Sequence, residues 1–179
     1  MRIISGTHGG RKIFPPTKMP YTRPTTDIAK EGLFNILENN LTISELKTLD
    51  LFGGTGCISY ELASRGAADL TIIEKDVNMS QFIKNTTNDL GFQNIKVLKM
   101  DVFKFLENCN DSFDLIFAGP PYALTTIDDL PRIILDKKLL NENGWFILEH
   151  TPANDYKTFP YYKTQRNYGT TIFSFFVNS

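Results

Sequence analysis

The sequence predicts one α/β domain, with a mostly parallel seven-stranded sheet, an antiparallel C-terminal strand and a short N-terminal extension. Three observations favour this fold. The chain has 179 residues, which suits a single domain with a sizeable core. From residue 48 onward, short apolar runs alternate with amphipathic stretches, as in successive βαβ units. A glycine-rich turn directly follows the first apolar run, where open parallel sheets bind ligands.

The first 40 residues differ in pattern from the rest. Glycines and prolines within 5–24 interrupt any helical periodicity, so a turn-rich, mostly extended arm with room for a short hairpin is expected. From Thr26 onward, apolar residues recur at helical spacing behind a capping residue, which predicts a helix to about Asn39. We expect residues 1–40 to form a basic arm and helix and residues 41–179 to form the main domain, within one structural unit.

The alternating stretches place the remaining elements. Strands are expected at 48–52, 70–74, 95–98, 113–118 and 144–149. Helices are expected between them, with right-handed crossovers, at 57–65, 77–90, 102–108 and 128–138. After Pro152 the pattern predicts two antiparallel edge strands, at 159–163 and 170–177, with a turn at 167–169.

The composition excludes several classes of protein. The 19 Lys and Arg residues nearly balance the 20 Asp and Glu residues, so the average field attracts neither nucleic acid nor anionic lipid. No apolar stretch reaches the roughly 18 residues of a membrane span, and the first residues do not resemble a signal peptide. Cys57 and Cys109 are too few for a disulfide framework or a metal site. We therefore expect a cytoplasmic protein with reduced thiols and no metal.

Positive charge is concentrated near the N-terminus. Residues 1–34 contain six Lys or Arg residues and only two acidic residues. A basic arm on an acidic body suits a polyanion such as nucleic acid, and the alternative is an extension that merely packs on the body. The candidate phosphate contacts are Arg2, Arg11, Lys12, Lys18 and Arg23.

Glycines and carboxylates mark the carboxyl ends of the first three predicted strands. Glycines at 53–56 allow a ligand to approach the backbone closely, although a plain tight turn is the alternative. A dinucleotide fingerprint would require a third glycine where Ser59 stands, so nicotinamide binding is disfavoured. Glu74 ends the second strand, where a carboxylate can accept hydrogen bonds from both hydroxyls of a ribose. Asp50 and Asp101 lie on the neighbouring strand ends. Each acid alone has a plainer explanation, as a solvated loop residue or a helix N-cap, but together the three favour a nucleoside site.

The fourth predicted strand runs into Gly119-Pro120-Pro121-Tyr122. This placement resembles the fourth motif of amino-methylating enzymes, which carry Asp or Asn, then Pro-Pro, then Tyr or Phe. The resemblance implies that the side chain and a proline carbonyl accept the N–H groups of the target amine, while the ring stacks on a flipped base. Gly119 lacks that side chain. Three explanations stay open: a change that disables the enzyme, compensation by another group such as Glu149, or a site specialised for binding.

Nearly the whole chain resembles RsmD-type methyltransferases. The matching segments, in order and spacing, are 1–6, 11–12, 23–27, 31–35, 49–56 and 61–67. The resemblance implies a Rossmann-like class I methyltransferase fold, S-adenosylmethionine as cofactor, and methylation of the exocyclic N2 of a guanine in 16S rRNA. The implied partner is the 30S subunit or an assembly intermediate, and a monomer is expected. Ile28 departs from the family, which often carries a basic residue there, and Lys30 is the residue nearby that can compensate.

The same resemblance assigns roles to individual positions. Asp101 is expected to accept the adenine amino group, and Val102 to lie against the adenine ring. The expected cofactor contacts are Asp50, Phe52, Gly53, Gly54, Thr55, Gly56, Glu74, Lys75, Asp101 and Val102. The expected catalytic positions are Gly119, Pro120, Pro121 and Tyr122. The alternatives are an amino-methyltransferase acting on DNA adenine and a cofactor-retaining RNA-binding or assembly protein without activity.

Overall fold

A computed structural model describes residues 1–19 and 24–179 and shows a seven-stranded sheet with its connecting helices. The strands are β1 (Lys47–Leu51), β2 (Asp69–Glu74), β3 (Ile95–Lys99), β4 (Phe113–Ala118), β5 (Leu140–His150), β6 (Tyr162–Tyr168) and β7 (Thr171–Val177). The helices are α1 (Asp27–Asn40), α2 (Cys57–Ser64), α3 (Val77–Asp89), α4 (Val102–Asn108) and α5 (Asp129–Asp136). No helix among these described residues is long and apolar enough to cross a membrane.

The strand order in the sheet is β3-β2-β1-β4-β5-β7-β6. Strands β1 to β5 are parallel, whereas β7 runs antiparallel to both β5 and β6. The predicted fold class is therefore confirmed. The order reverses between β1 and β4, and the crevice at such a switch point is the usual ligand site of an open α/β sheet.

The prediction of two edge strands at the C-terminus was wrong in one respect, because β7 lies inside the sheet and, of the two, β6 alone is at an edge. Phe173, Phe175 and Phe176 are all fully buried, so β7 is covered on both faces like a central strand. The preceding strand begins at Tyr162 rather than at residue 159 and continues through Tyr168. The chain reverses one step later than predicted, at Gly169, whose φ of +69° suits glycine.

The predicted N-terminal helix is present as α1 and belongs to the main core. Thr26 caps it by accepting a hydrogen bond from the Ala29 N–H. Its buried face, including Leu33 and Phe34, packs in the same hydrophobic cluster as Leu115 of β4 and Phe173 of β7. The helix therefore holds the N-terminal segment against the sheet.

The first 13 residues form a short antiparallel hairpin, in which the Ile3 N–H donates to the Arg11 carbonyl and the Ile13 N–H to the Met1 carbonyl. Both isoleucines are buried. The amides of Ile4 and Ser5 donate to the Glu61 carboxylate of α2, at 2.8 and 3.0 Å. This part of the arm is therefore fixed to the body rather than extended and free.

Candidate active site

A cavity of about 1000 Å³ opens at the carboxyl ends of the parallel strands. All the residues expected to contact a cofactor line this cavity except Gly56, which is the N-cap residue of α2. All four expected catalytic positions, 119–122, line it as well. The structure thus brings two turns together around one cavity. We call the turn at 53–56 the glycine turn and the turn at 119–122 the proline-tyrosine turn.

The turn after β1 has a backbone that requires glycine. Gly54 and Gly56 have φ angles of +56° and +79°, and Phe52 also has a positive φ, of +65°, which is rare for a non-glycine residue. A Cβ atom at Gly56 would lie 2.5 Å from the ring of buried Tyr60. A Cβ at Gly53 would lie equally close, 2.5 Å, to Cγ2 of Ile72. Close packing, as well as ligand approach, therefore selects small residues here.

Glu74 is half-buried and holds the glycine turn. Its Oε2 accepts the Gly54 N–H at 2.9 Å, and its Oε1 accepts the Asp76 N–H at 2.8 Å. Asp101 caps α4 by accepting the N–H groups of Phe103 and Lys104. The N-cap explanation considered for Asp101 is thus realised, and the residue also lines the cavity. Each carboxylate keeps further lone pairs for a ligand.

Asp50 is a buried carboxyl in the wall of the cavity. It accepts a hydrogen bond from the Ser59 hydroxyl of α2 at 2.7 Å. Burial raises the pKa of Asp50 to about 7, and the nearby charges of Glu74 and Glu149 act in the same direction. In the sequence, Ser59 stands where a dinucleotide fingerprint needs glycine, and its bond to Asp50 was not predicted. A hydroxyl one turn into the helix after a glycine turn was the available signal.

Replacing Asp50 with Asn is expected to change how stability depends on pH. The unfolded pKa is near 3.8 and the folded pKa about 7, so between these values only the folded state keeps the proton. Wild-type stability should therefore fall by about 2 kcal/mol from pH 5 to pH 7 through this group, and Asp50→Asn should lack that fall. Urea unfolding at both pH values measures it. Asp111→Asn, at an exposed position, is the control, and equal pH profiles for all three proteins would contradict the prediction.

The proline-tyrosine turn faces a second buried carboxylate. The Tyr122 ring is 47% exposed, and its hydroxyl lies 3.4 Å from Oε1 of Glu149 and 3.3 Å from Oγ1 of Thr171. Glu149 is only 8% exposed, and its Oε2 accepts the Thr25 hydroxyl at 3.2 Å. Burial raises the pKa of Glu149, although the bonds from Thr25 and Tyr122 oppose the shift.

The candidate RNA contacts lie on the N-terminal hairpin and beyond it. Arg2, Arg11, Lys12 and Lys18 are all exposed, and Arg2 pairs with Asp27 at 3.0 Å. Arg23 lies outside the described residues. The proposal that Lys30 replaces a basic residue at position 28 was wrong. Lys30 is 1% exposed and its ammonium lies 3.4 Å from the Glu61 carboxylate, so it cannot reach a phosphate.

Comparison with known proteins gives the family. The model of the family described as Conserved hypothetical protein 95 matches residues 1–177. The ribosomal RNA small subunit methyltransferase D of Escherichia coli K12 is 31% identical over 160 residues, covering 89% of this chain and 79% of the relative. The chain belongs to the RsmD family. The corresponding protein of Buchnera aphidicola from Baizongia pistaciae is 29% identical over 164 residues, covering 87% and 83%.

Solved structures confirm the class I methyltransferase fold. An Escherichia coli structure, provisionally described as a methyltransferase, has a TM-score of 0.86 and 26% identity over all of this chain and 98% of that one. A Thermus thermophilus 16S rRNA N2 methyltransferase, solved with S-adenosylmethionine and guanosine, has a TM-score of 0.69 and 20% identity. The match covers 87% of this chain and 44% of the Thermus protein. At this low identity, it shows the fold alone.

Proposed function

We propose that this protein uses S-adenosylmethionine to methylate the exocyclic N2 of a guanine in 16S rRNA of the small ribosomal subunit. The observation that carries the proposal is the single cavity of about 1000 Å³ that joins the glycine turn to the proline-tyrosine turn. Its size is ample for a nucleoside cofactor and an inserted base together. The named activity of the Escherichia coli relative supports the substrate class.

The cofactor side of the cavity fits an adenine nucleoside. The glycine turn leaves room for a ligand against the backbone, and Glu74 offers carboxylate lone pairs to ribose hydroxyls. Asp101 and Val102 lie together at the end of β3, where a carboxylate can accept an amino group beside an apolar contact. Bound S-adenosylmethionine would supply an electrophilic methyl group on its sulfonium, and the C–S bonding electrons would stay on sulfur when that methyl group is transferred to an amine.

The substrate side fits an extruded base with an amino group. The half-exposed ring of Tyr122 offers a stacking surface, and stacking on an aromatic side chain holds bases that have left the helix. The carbonyl of Pro120 can accept one N–H of the amine. An exocyclic amine shares its lone pair with the ring, so acceptors that orient its hydrogens and stabilise the developing positive charge promote transfer.

Two measurements test this function. Calorimetry should show binding of S-adenosylhomocysteine and no binding of NAD. Labelled S-adenosylmethionine should transfer one methyl per particle to 30S subunits that lack the modification, and nucleoside mass spectrometry should identify N2-methylguanosine. Label in DNA adenine, or cofactor binding without transfer to any RNA or particle, would favour the two alternatives instead.

A further inference from the structure

We propose that the Glu149 carboxylate accepts an N–H of the target amine, in place of the side chain that Gly119 lacks. The inference rests on the proposed function and names a catalytic residue for it. With Glu149 in this role, Gly119 does not mark a disabled enzyme. The acceptor has instead moved from the end of β4 to the neighbouring strand β5.

The sheet places Glu149 beside Gly119. Ala118 of β4 pairs with Leu148 of β5, so the next residue of each strand follows side by side. A Cβ atom built on Gly119 would lie 3.6 Å from Oε2 of Glu149. The Glu149 carboxylate therefore already occupies the region toward which a side chain at position 119 would project, and both positions line the cavity.

Glu149 has acceptor capacity to spare. An ionised carboxylate has about four acceptor positions. The hydroxyls of Thr25 and Tyr122 use two of them, at 3.2 and 3.4 Å. The Tyr122 bond also ties the carboxylate to the ring proposed to hold the base, so the base and the acceptor are positioned together. When the new N–C bond forms and the C–S bond breaks, the amine gains a positive charge and loses one proton, which Glu149 can take.

The other acids of the cavity are engaged elsewhere. Both Glu74 oxygens accept backbone N–H groups on the cofactor side, and Asp76 and Asp101 cap α3 and α4. Asp50 is bonded to Ser59 of α2. Among the described residues that line the cavity, Glu149 is the carboxylate that contacts the proline-tyrosine turn.

The position of Glu149 also predicts how substitutions at position 119 affect the rate of methyl transfer. In the wild type, Gly119→Asp would place a second carboxylate next to Glu149, and close like charges disfavour ionisation of both. A Cβ there also lies 3.1 Å from the Phe117 ring, so that ring must shift slightly. Restoring the acidic side chain should therefore give no gain in rate. Gly119→Asn should become useful only after the Glu149 carboxylate is removed.

The experiment measures single-turnover methyl transfer to unmodified 30S particles at saturating cofactor, with calorimetry of S-adenosylhomocysteine for each variant. Glu149→Ala is expected to lower the rate by roughly 10²–10³-fold, as for loss of one transition-state hydrogen-bond partner, with cofactor affinity changed less than about threefold. Tyr122→Phe, which keeps the ring but removes the hydroxyl and its contacts with Glu149 and Thr171, should cost less than Glu149→Ala. Gly119→Asn combined with Glu149→Ala should recover at least about tenfold over Glu149→Ala alone.

Different failures have different meanings. A wild type that transfers no methyl overturns the proposed function, and this inference with it. An active wild type with an equally active Glu149→Ala overturns only the inference, as does a tenfold gain from Gly119→Asp alone. Equal losses in Tyr122→Phe and Glu149→Ala would show that Glu149 serves only to hold the tyrosine. Glu149→Gln keeps the volume and one acceptor oxygen but cannot take the proton, so its rate is expected to fall below that of the wild type. If the alanine variant does not fold, a Glu149→Gln rate equal to that of the wild type overturns the inference.

Discussion

Glu61→Ala is expected to lower the free energy of unfolding by about 3–5 kcal/mol. Glu61 is completely buried on α2, with Lys30 of α1 at 3.4 Å and the Arg65 guanidinium at 2.8 Å. Its oxygens also accept the Ile4 and Ser5 amides. One carboxylate therefore joins the N-terminal hairpin, α1 and α2.

The expected loss is large because Lys30, the cationic partner of Glu61 on α1, is too deeply buried to be hydrated instead. Lys30 is 1% exposed, so removing the carboxylate leaves an ammonium buried with only the Arg2 carbonyl as a bonded partner among the described residues. Two amides of the hairpin lose their acceptor at the same time. An uncompensated buried charge costs several kcal/mol, whereas the intact pair itself adds little net stability. The hairpin should consequently detach as the variant unfolds.

Urea unfolding followed by circular dichroism measures this change, and Glu38→Ala is the matched control. Glu38 also pairs with Arg65, at 2.6 Å, but its side chain is 48% exposed. Glu38 is the solvent-exposed partner, and the nearly buried Arg65 keeps its bond to Glu61 when Glu38 is removed. The control should therefore lose at most about 1 kcal/mol. A loss below about 1 kcal/mol in Glu61→Ala would show that water or rearranged side chains replace the carboxylate.

The Lys30 and Glu61 pair illustrates what the sequence cannot predict. Local patterns predicted the parallel strands, their helices and the N-terminal cap, because each depends on apolar spacing or on a turn residue. Lysine is rarely buried, so Lys30 was counted with the surface charge of the basic segment. Its burial depends on α2 lying against α1, which is a tertiary fact. The interior position of β7 was missed for the same reason, because local periodicity predicts a strand but not its position in the sheet.

Some residues of the cavity could likewise be predicted from the sequence, whereas others depend on tertiary structure. Acids at the ends of successive parallel strands must lie along one edge of the sheet, so Asp50, Glu74 and Asp101 could be placed together from topology alone. The role of Glu149 was left as one of three alternatives, because its use depends on strand register and on the direction of its side chain. Register brings it beside Gly119, and bonds from Thr25 and Tyr122 orient it.

Glu74→Ala is expected to weaken S-adenosylhomocysteine binding by on the order of 10²-fold or more. Hydrogen bonds to a charged group contribute about 1.5–3 kcal/mol each, and the proposed ribose contact uses two of them. The variant also removes the acceptors of the Gly54 and Asp76 N–H groups, at 2.9 and 2.8 Å. The variant is therefore expected to weaken binding in two ways, by losing the ribose contact and by changing the shape of the glycine turn. Calorimetry measures the affinity, and Glu107→Ala, an exposed acid on α4, is the control.

A modified ligand separates these two contributions. S-adenosylhomocysteine without its ribose 2′-hydroxyl should bind the wild type about tenfold or more weakly than the complete ligand, because one charged hydrogen bond is lost. The two ligands should bind Glu74→Ala almost equally, because the acceptor is already absent. If the variant still distinguishes them as strongly as the wild type, the ribose contacts another group and Glu74 acts only by holding the turn. Coupling between the side chain and the hydroxyl is thus the signature of direct contact.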